Sequence, residues 1–310
     1  MKLEKVIRRI SLLAVLAGMI TATTAWAQNY NQIALLKWYK ANQTTGVAVE
    51  GPLSDVAFDG SSIWVTDQIR TVTKIDASTG QVLGTFTVGQ VPLGLAFDGA
   101  NIWVANARDG TVTKLRASDG TVLGTFNVGI FPWSVAFDGA NIWVTNTKSN
   151  TVSKLRASDG MMMGSFDVGI SPHGIAFDGA NMWVANFEGK SVMKLSSSGQ
   201  VLLTYTNIFG ADYLAFDGTS MWASGLVSNK VFKLALNGSG MTGYEVRRPE
   251  GMAFDGANLW VVNHEGSSVT ELRVSDGATI GVFNVGSGPV GAAFDGANIW
   301  VACEGQVRKL

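Results

Sequence analysis

The feature that most constrains this chain is an eleven-residue phrase, AFDGANIWVAN at residues 96–106, which recurs seven times with small changes. A tryptophan follows the phenylalanine of each copy by six residues, and successive phenylalanines are 38 to 40 residues apart. The tryptophans are Trp64, Trp103, Trp143, Trp183, Trp222, Trp260 and Trp300. A fixed period of this length indicates a repeat architecture in which each unit packs against its neighbours.

Each repeat has the pattern of four short strands. In residues 89–129 the runs LGLAFD, NIWVAN, TVTKLRA and TVLGTFNVG are rich in β-forming residues, and turn signals such as Asp-Gly separate them. The apolar residues of this unit do not follow a helical period. Four strands in each of seven units predict an all-β protein, a seven-bladed β-propeller of four-stranded antiparallel blades.

The two ends of the repeat region complement each other. The seventh unit stops after its third strand, QVRKL at residues 306–310, whereas TTGVAVEG at residues 44–51 aligns with a fourth strand that has no blade of its own. We expect this N-terminal strand to complete the last blade and close the ring, which removes an open sheet edge. The predicted domains are a signal peptide (1–27), an N-terminal segment (28–43) and the propeller (44–310).

Residues 1–27 have the pattern of a secretory signal peptide. Four basic residues precede the apolar run SLLAVLAGMI, and AWA at residues 25–27 supplies small residues for cleavage. That run is too short to span a bilayer, and no later segment is apolar for long enough. We therefore predict an exported protein, periplasmic or extracellular, with no transmembrane segment after cleavage; an uncleaved membrane anchor is the alternative.

Composition restricts the partners. Without residues 1–27 the chain carries 19 basic and 23 acidic residues, so it has no general attraction for nucleic acid or anionic membranes. Its single cysteine, Cys303, cannot form a disulfide within the chain. The sequence contains no phosphate-cradling loop, metal-spaced cysteine pair or nucleophile elbow. We predict a monomer that has no nucleic-acid partner and no cofactor.

Differences between the repeats indicate where a site could lie. The turns between first and second strands and between third and fourth strands are nearly constant, and both lie at one end of every blade. The loops that enter the blades, and those between second and third strands, vary widely and lie at the opposite end, which we call the variable face. Because binding residues concentrate on loops held by a rigid scaffold, we expect the site on the variable face.

A first candidate cluster on the variable face surrounds a histidine. His264 is followed by Glu265, the entering loop of the same blade carries Arg248 and Glu250, and Glu304 occupies the matching loop of the next blade. A histidine among carboxylates can act as a general base beside a divalent cation. In an enzyme, His264 and Glu265 would be catalytic and Mg²⁺ or Ca²⁺ would be the cofactor. A solvated surface loop is the alternative.

A second candidate cluster is mainly aromatic and would bind ligand. Its members on the variable face are Phe131, Trp133, His173, Phe187, Glu188 and Tyr213. Exposed aromatic side chains often anchor sugars, peptides or proteins. We expect the two clusters to engage an unidentified small molecule, glycan or protein, unless the aromatic rings only plug the mouth of the channel.

Two polar positions recur on most blades. The residue three after each tryptophan is Asn or Asp in five units, and we expect it to cap the following turn. The third strand carries a lysine in six units and Glu271 in the other. We expect these lysines to have a structural partner, with the AFDG aspartate as the candidate.

The motif IWVTNTKSNTVSKL (142–155) resembles the repeat of YVTN-type propellers, with Trp replacing Tyr. The wider unit is similar to the blades of NHL-type propellers and of the streptogramin (virginiamycin B) lyases. The resemblance covers residues 44–310 and implies the propeller fold. It also implies an alternative function, a metal-assisted lyase or lactonase-like hydrolase with a histidine base. The residues themselves favour a non-enzymatic binding module, because the ionisable groups are spread over several loops.

Overall fold

The computed structural model describes residues 45–310, whose strands form seven four-stranded antiparallel sheets. The first three blades contain β2 (Leu53–Phe58), β3 (Ser62–Asp67), β4 (Thr71–Asp76) and β5 (Val82–Thr87); β6 (Pro92–Phe97), β7 (Asn101–Asn106), β8 (Thr111–Arg116) and β9 (Val122–Asn127); β10 (Pro132–Phe137), β11 (Asn141–Asn146), β12 (Thr151–Arg156) and β13 (Met162–Asp167). The next three contain β14 (Pro172–Phe177), β15 (Met182–Asn186), β16 (Ser191–Leu195) and β17 (Val201–Thr206); β18 (Ala211–Phe216), β19 (Ser220–Gly225), β20 (Lys230–Ala235) and β21 (Met241–Glu245); β22 (Pro249–Phe254), β23 (Asn258–Asn263), β24 (Ser268–Arg273) and β25 (Thr279–Asn284).

The seventh blade is assembled from both ends of the described chain. It contains β26 (Ala292–Phe294), β27 (Ile299–Cys303), β28 (Gln306–Lys309) and the N-terminal strand β1 (Thr45–Ala48), which pairs antiparallel with β28. The first strand of each blade contacts the first strand of the next, and β26 contacts β2. The predicted closed ring of seven blades is therefore confirmed. The predicted signal peptide (1–27) and N-terminal segment (28–43) lie outside the described residues.

Helix is nearly absent from residues 45–310. The helical element found there is a single 3₁₀ turn at His264–Gly266. No helix among these residues is long and apolar enough to cross a membrane.

The recurring tryptophan and aspartate of the AFDG phrase are partners in every blade. Each indole Nε1 donates a hydrogen bond of 2.7 or 2.8 Å to the aspartate five residues before it, as in Trp103 to Asp98. All but one of these seven rings are fully buried, in apolar clusters that also contain residues of the following blade. The repeat is therefore conserved along the chain because it provides both the core between blades and the polar partner that core requires.

The recurring lysines join neighbouring blades. Lys114 lies over the Trp103 ring, 5.1 Å from its centroid, and its Nζ donates to the carbonyl oxygens of Ala157 and Ser158 in the next blade, at 2.7 and 3.2 Å. Equivalent bonds to the next blade come from Lys74, Lys154, Lys194, Lys233 and Lys309. Our expectation of the AFDG aspartate as partner was wrong for all but Lys194, which also contacts Asp178 at 3.0 Å. A turn carbonyl of the next blade lies closer to the lysine tip.

The topology explains why the sixth blade has a glutamate at this position. In the next blade, β28 and β1 come from opposite ends of the described chain, so no turn joins them to offer carbonyl acceptors. Glu271 instead accepts a 2.8 Å hydrogen bond from Asn258 Nδ2. Burial raises the pKa of Glu271, with a smaller contribution from Asp255.

Candidate functional site

A β-bulge in the innermost strand of blades one to six shapes the wall of the channel. In the first blade Leu53 pairs with Asp67 and Val56 pairs with Val65, so the two residues Ser54 and Asp55 lie opposite a single residue. The same shift occurs in blades two to six. Bulges change the direction of side chains and are common beside functional sites. Here they place one or both bulge residues of each of these strands next to the channel.

The second bulge residue is correlated with the residue opposite it. It is Asp55, Ser134 or Tyr213 in blades one, three and five, where the opposite residue is a buried Thr66, Thr145 or Ser224. Each of these hydroxyls accepts the backbone N–H of the bulge residue, at 2.8 to 3.1 Å. In the other four blades the second bulge position holds glycine and the opposite position holds Ala or Val. At this second position, therefore, three of the seven blades carry a side chain.

All seven blades contribute to one cavity at the centre of the ring, which we call the central cavity. Its volume is about 260 Å³, larger than the roughly 150 Å³ cavity that accommodates benzene. The side chains with most to offer a ligand are Asp55, Phe131, Trp133, Tyr213 and Glu250. No lysine, arginine or histidine among residues 45–310 lines it. Its lining is therefore aromatic and acidic.

Asp55 is the most perturbed acid of the central cavity. Its side chain keeps some accessible surface toward the cavity, but protein surrounds it on the other sides, and this burial dominates. Burial raises the pKa of Asp55 from 3.8 to about 7, with a smaller upward effect of Glu250. The backbone N–H groups of Val56 and Leu95, which donate to its two oxygens at 2.9 and 3.4 Å, oppose that rise. Near neutral pH the carboxyl is thus balanced between its two protonation states.

Tyr213 places a phenol beside these acids. Burial raises its pKa well above 10, and Asp55, Glu250 and Asp212 add to the rise. The phenol is therefore neutral at physiological pH. Its backbone N–H is bound by Ser224, but its hydroxyl forms no hydrogen bond with any of residues 45–310. The hydroxyl can therefore donate to or accept from a ligand.

Glu250 connects the central cavity to the predicted histidine. His264 Nδ1 donates to Glu250 Oε2 at 2.8 Å and lies 3.2 Å from the Pro289 carbonyl oxygen. This bond raises the pKa of His264. Burial raises the pKa of Glu250 despite the histidine. Glu265 is directed elsewhere, because its Oε1 pairs with Arg248 Nε at 3.1 Å in an exposed position.

The second histidine lies in a stack of rings. His173 packs against Trp133, with centroids 4.1 Å apart and planes 10° apart, and against Phe187 at 4.7 Å. Its Nδ1 lies 2.8 Å from Asp212 Oδ1, in a pair whose side chains are 12 and 5% exposed. Trp133 also contacts Phe131 at 6.1 Å. The stack holds the Trp133 ring rigidly against the cavity.

The structure joins most of the two predicted clusters into one site. Four of the predicted residues line the central cavity: Phe131, Trp133, Tyr213 and Glu250. Three others support the lining: His173 stacks on Trp133, Phe187 stacks on His173, and His264 is bonded to Glu250. The other predicted residues lie outside it. Arg248 and Glu265 pair with each other, Glu304 accepts a hydrogen bond from Ser287 at 3.2 Å, and Glu188 is exposed. The functional roles of all these residues remain predictions.

Sequence reasoning missed Asp55, Asp212 and Ser134. The correlation described above was a usable signal, since WVT and WAS replace the WVA or WVV of other repeats opposite Asp55, Ser134 and Tyr213. A second signal was periodicity. His173 and Asp212 are 39 residues apart, which is one repeat, so they occupy equivalent positions in adjacent blades.

The residues do not form a metal centre of protein ligands. Within residues 45–310, no group of three or more His, Cys, Asp or Glu side chains is close enough together to hold a metal ion. His173 and His264 are each paired with one carboxylate, Asp212 and Glu250 respectively. No chemical step through a metal is therefore derived for this site.

Comparison with known proteins identifies the fold. No known family profile matches the sequence, and no curated protein matches it. Among solved structures, hydrazine synthase of Kuenenia stuttgartiensis aligns with a TM-score of 0.74 and 19% identity, over 86% of this chain and 98% of that chain. A streptogramin B lyase structure aligns with a TM-score of 0.75 and 18% identity, over 86% of this chain and 96% of that chain. At such identities the likeness establishes that the proteins share the β-propeller fold.

Proposed function

We propose that this protein is an exported β-propeller that binds a small ligand in the central cavity. The observation that carries the proposal is that seven similar blades converge on one cavity whose lining is dissimilar: Phe131, Trp133, Tyr213, Asp55, Glu250 and Gln68 stand among residues that are otherwise small or aliphatic. Pockets that combine apolar walls with a few polar groups are typical ligand sites. Export rests on the sequence of residues 1–27.

The dimensions favour a small molecule over a glycan chain or a protein. A cavity of about 260 Å³ is slightly below the range typical of drug-sized ligands, so it suits a molecule of about ten non-hydrogen atoms. Trp133 supports this interpretation because it is packed into the stack with His173 and is not spread over the surface.

A ligand-detected NMR screen of the mature protein tests this function. The library contains small cations, neutral molecules, anions and monosaccharides. We expect hits that bind wild type and are lost in Trp133→Leu. The control is Phe209→Leu, since Phe209 is an exposed aromatic outside the cavity lining. If no compound bound, or if Trp133→Leu and Phe209→Leu behaved alike, the proposal would be wrong.

A metal-assisted lyase or hydrolase is the second candidate. The observation in its favour is the bond between His264 and Glu250, since a carboxylate that orients an imidazole and raises its pKa is typical of a general base. Thermal unfolding after chelation, with Mg²⁺ or Ca²⁺ added back, distinguishes the candidates. An increase in melting temperature that is lost in Glu250→Gln but kept in Glu265→Gln would favour the enzyme. If the melting temperature of wild type did not change with added metal, the metal-assisted enzyme would be excluded and the binding module would be retained.

A further inference from the structure

We propose that the ligand of the central cavity is a small primary amine, whose ammonium lies among Asp55, Glu250 and Tyr213 and whose apolar, preferably aromatic, body packs against Phe131 and Trp133. The inference rests on the proposed function and specifies its ligand class.

The charges around the central cavity favour a cation. Both charged groups that line it, Asp55 and Glu250, are carboxylates. His264 already pairs with Glu250, and Arg248 pairs with Glu265, whereas no cation contributes to the pKa of Asp55, so Asp55 is the lining carboxyl without a counter-charge. A buried carboxylate is costly unless it is paired, so an ammonium would supply the missing counter-charge. An anionic ligand would find no lysine, arginine or histidine of residues 45–310 in the lining.

The hydrogen-bonding groups of the cavity are sufficient to satisfy an ammonium. A primary ammonium has three N–H donors. Three acidic or phenolic side chains from three blades can accept from it: Asp55 on β2, Tyr213 on β18 and Glu250 on β22; Ser54, Gln68 and Ser134 also line the cavity and carry acceptor oxygens. The Tyr213 hydroxyl forms no hydrogen bond within residues 45–310 and can accept one from a ligand, and the buried Ser54 Oγ also lacks a partner among these residues. The Asp55 oxygens each accept one backbone N–H and retain capacity for another donor.

The apolar part of the ligand has a prepared wall. Trp133 is fixed by the stack with His173, and Phe131 lies 6.1 Å from Trp133, so two aromatic rings line the same cavity as the acids. Aromatic faces attract cations and pack well against aromatic rings. An arylalkylamine of about ten non-hydrogen atoms is of the right size for this cavity.

The titration of Asp55 supports a cation rather than a neutral polyol. With a pKa of about 7, Asp55 is partly protonated near neutral pH. An ammonium would stabilise the ionised form, whereas a neutral molecule would not. Asp55 is faced by Glu250 from β22 and Tyr213 from β18; Glu250 is bonded to His264, and both Glu250 and Tyr213 are affected by Asp212, which pairs with His173. The phenol is neutral over the relevant range, so the carboxyls and His264 are the groups that can make binding pH-dependent.

Isothermal titration calorimetry with three matched probes tests the inference: phenethylamine, 2-phenylethanol and 3-phenylpropionate. We expect phenethylamine to bind wild type at least about tenfold more tightly than the alcohol near pH 8, and the carboxylate not to bind. Its affinity should rise about tenfold per pH unit up to about pH 7 and then level off, while that of the alcohol should not.

Variants assign this selectivity to the cavity. Asp55→Asn should reduce phenethylamine affinity at least about tenfold and abolish most of its pH dependence, with little change for the alcohol. The matched control is Asp119→Asn, which removes one charge from an exposed turn at the opposite end of a blade and should change neither. If Asp55→Asn did not fold, the selectivity and pH profile of wild type would still decide.

Each of the other outcomes would overturn either the amine ligand class or the proposed function. Equal affinity for amine and alcohol, or tighter binding of the carboxylate, would overturn the cation but keep a small-ligand site. The same holds if none of the three probes bound while other fragments bound in a Trp133-dependent manner. A lysine side chain of a partner protein carries the same ammonium. Tighter binding of Nα-acetyl-lysine methylamide than of phenethylamine would therefore overturn the proposal that the ligand is a free small amine. If no fragment bound at all, the proposed function itself would fail.

Discussion

Replacing Asp55 with asparagine should alter the stability of the propeller in a way that depends on pH. The substitution keeps the size and shape of the side chain but removes a carboxyl whose pKa in the folded protein is about 7, against an ordinary value of 3.8. Because the folded state binds this proton more tightly than the unfolded state, the contribution of Asp55 to wild-type stability should fall as pH rises from about 4 to about 7, and should be constant above that.

The magnitude follows from these two pKa values. The full difference corresponds to about 4 kcal/mol at high pH, which is an upper value because the carboxyl keeps some access to the cavity. About 1–2 kcal/mol of that loss is already present at about pH 5, where the folded-state carboxyl is still protonated. The Asp55→Asn variant has no ionisable group at this position, so it loses none of this stability as the pH rises. The stability gained by Asp55→Asn relative to wild type should therefore be larger by up to about 3 kcal/mol at about pH 8.5 than at about pH 5.

Urea unfolding of wild type and variant gives the change in unfolding free energy caused by the substitution at each pH value. When the two changes are compared, the contributions of the other titrating groups largely cancel. Asp119→Asn is the matched control. The pKa of Asp119 is lowered to about 2, so it is ionised in both folded and unfolded chains at both pH values and should add no pH-dependent difference. The same stability change for Asp55→Asn at both pH values would show that Asp55 is not held near pKa 7, and would remove that support for an amine ligand.

Three further predictions concern the scaffold, each measured by urea or thermal unfolding. Lys114→Met should cost about 2 kcal/mol, because it removes the bonds to carbonyl oxygens of the next blade; a loss within error would show that these bonds add nothing. Asp138→Asn should cost about 1–2 kcal/mol by weakening the 2.7 Å bond from Trp143 Nε1, and an unchanged midpoint would contradict that role. Gly174→Ala should cost at least about 2 kcal/mol, because its Cβ would lie 2.3 Å from the Asp212 carbonyl oxygen; a tolerated alanine would mean that the two innermost strands can separate.

The site was only partly predictable, and His264 shows why. Its sequence neighbour Glu265 is the obvious partner, but the 3₁₀ turn directs the Glu265 side chain to Arg248. The actual partner, Glu250, is 14 residues earlier. The pairing of Pro249 with Asn263 in the register of β22 and β23 brings Glu250 and His264 together. Proximity in a sheet is determined by register, which sequence adjacency does not report.

The sequence by itself determined the ring. Asp-Gly turns, alternating strand residues and the Trp–Asp pair five residues apart are local features, and their sevenfold repetition leaves few architectures that bury every tryptophan between blades. Only the tertiary structure decided what lies at the centre. Asp55, Trp133, Tyr213 and Glu250 are up to 195 residues apart in the sequence, and ring closure together with the bulges places them around one cavity. The pKa of Asp55 follows from that placement, because burial and the approach of Glu250 exist only in the folded ring.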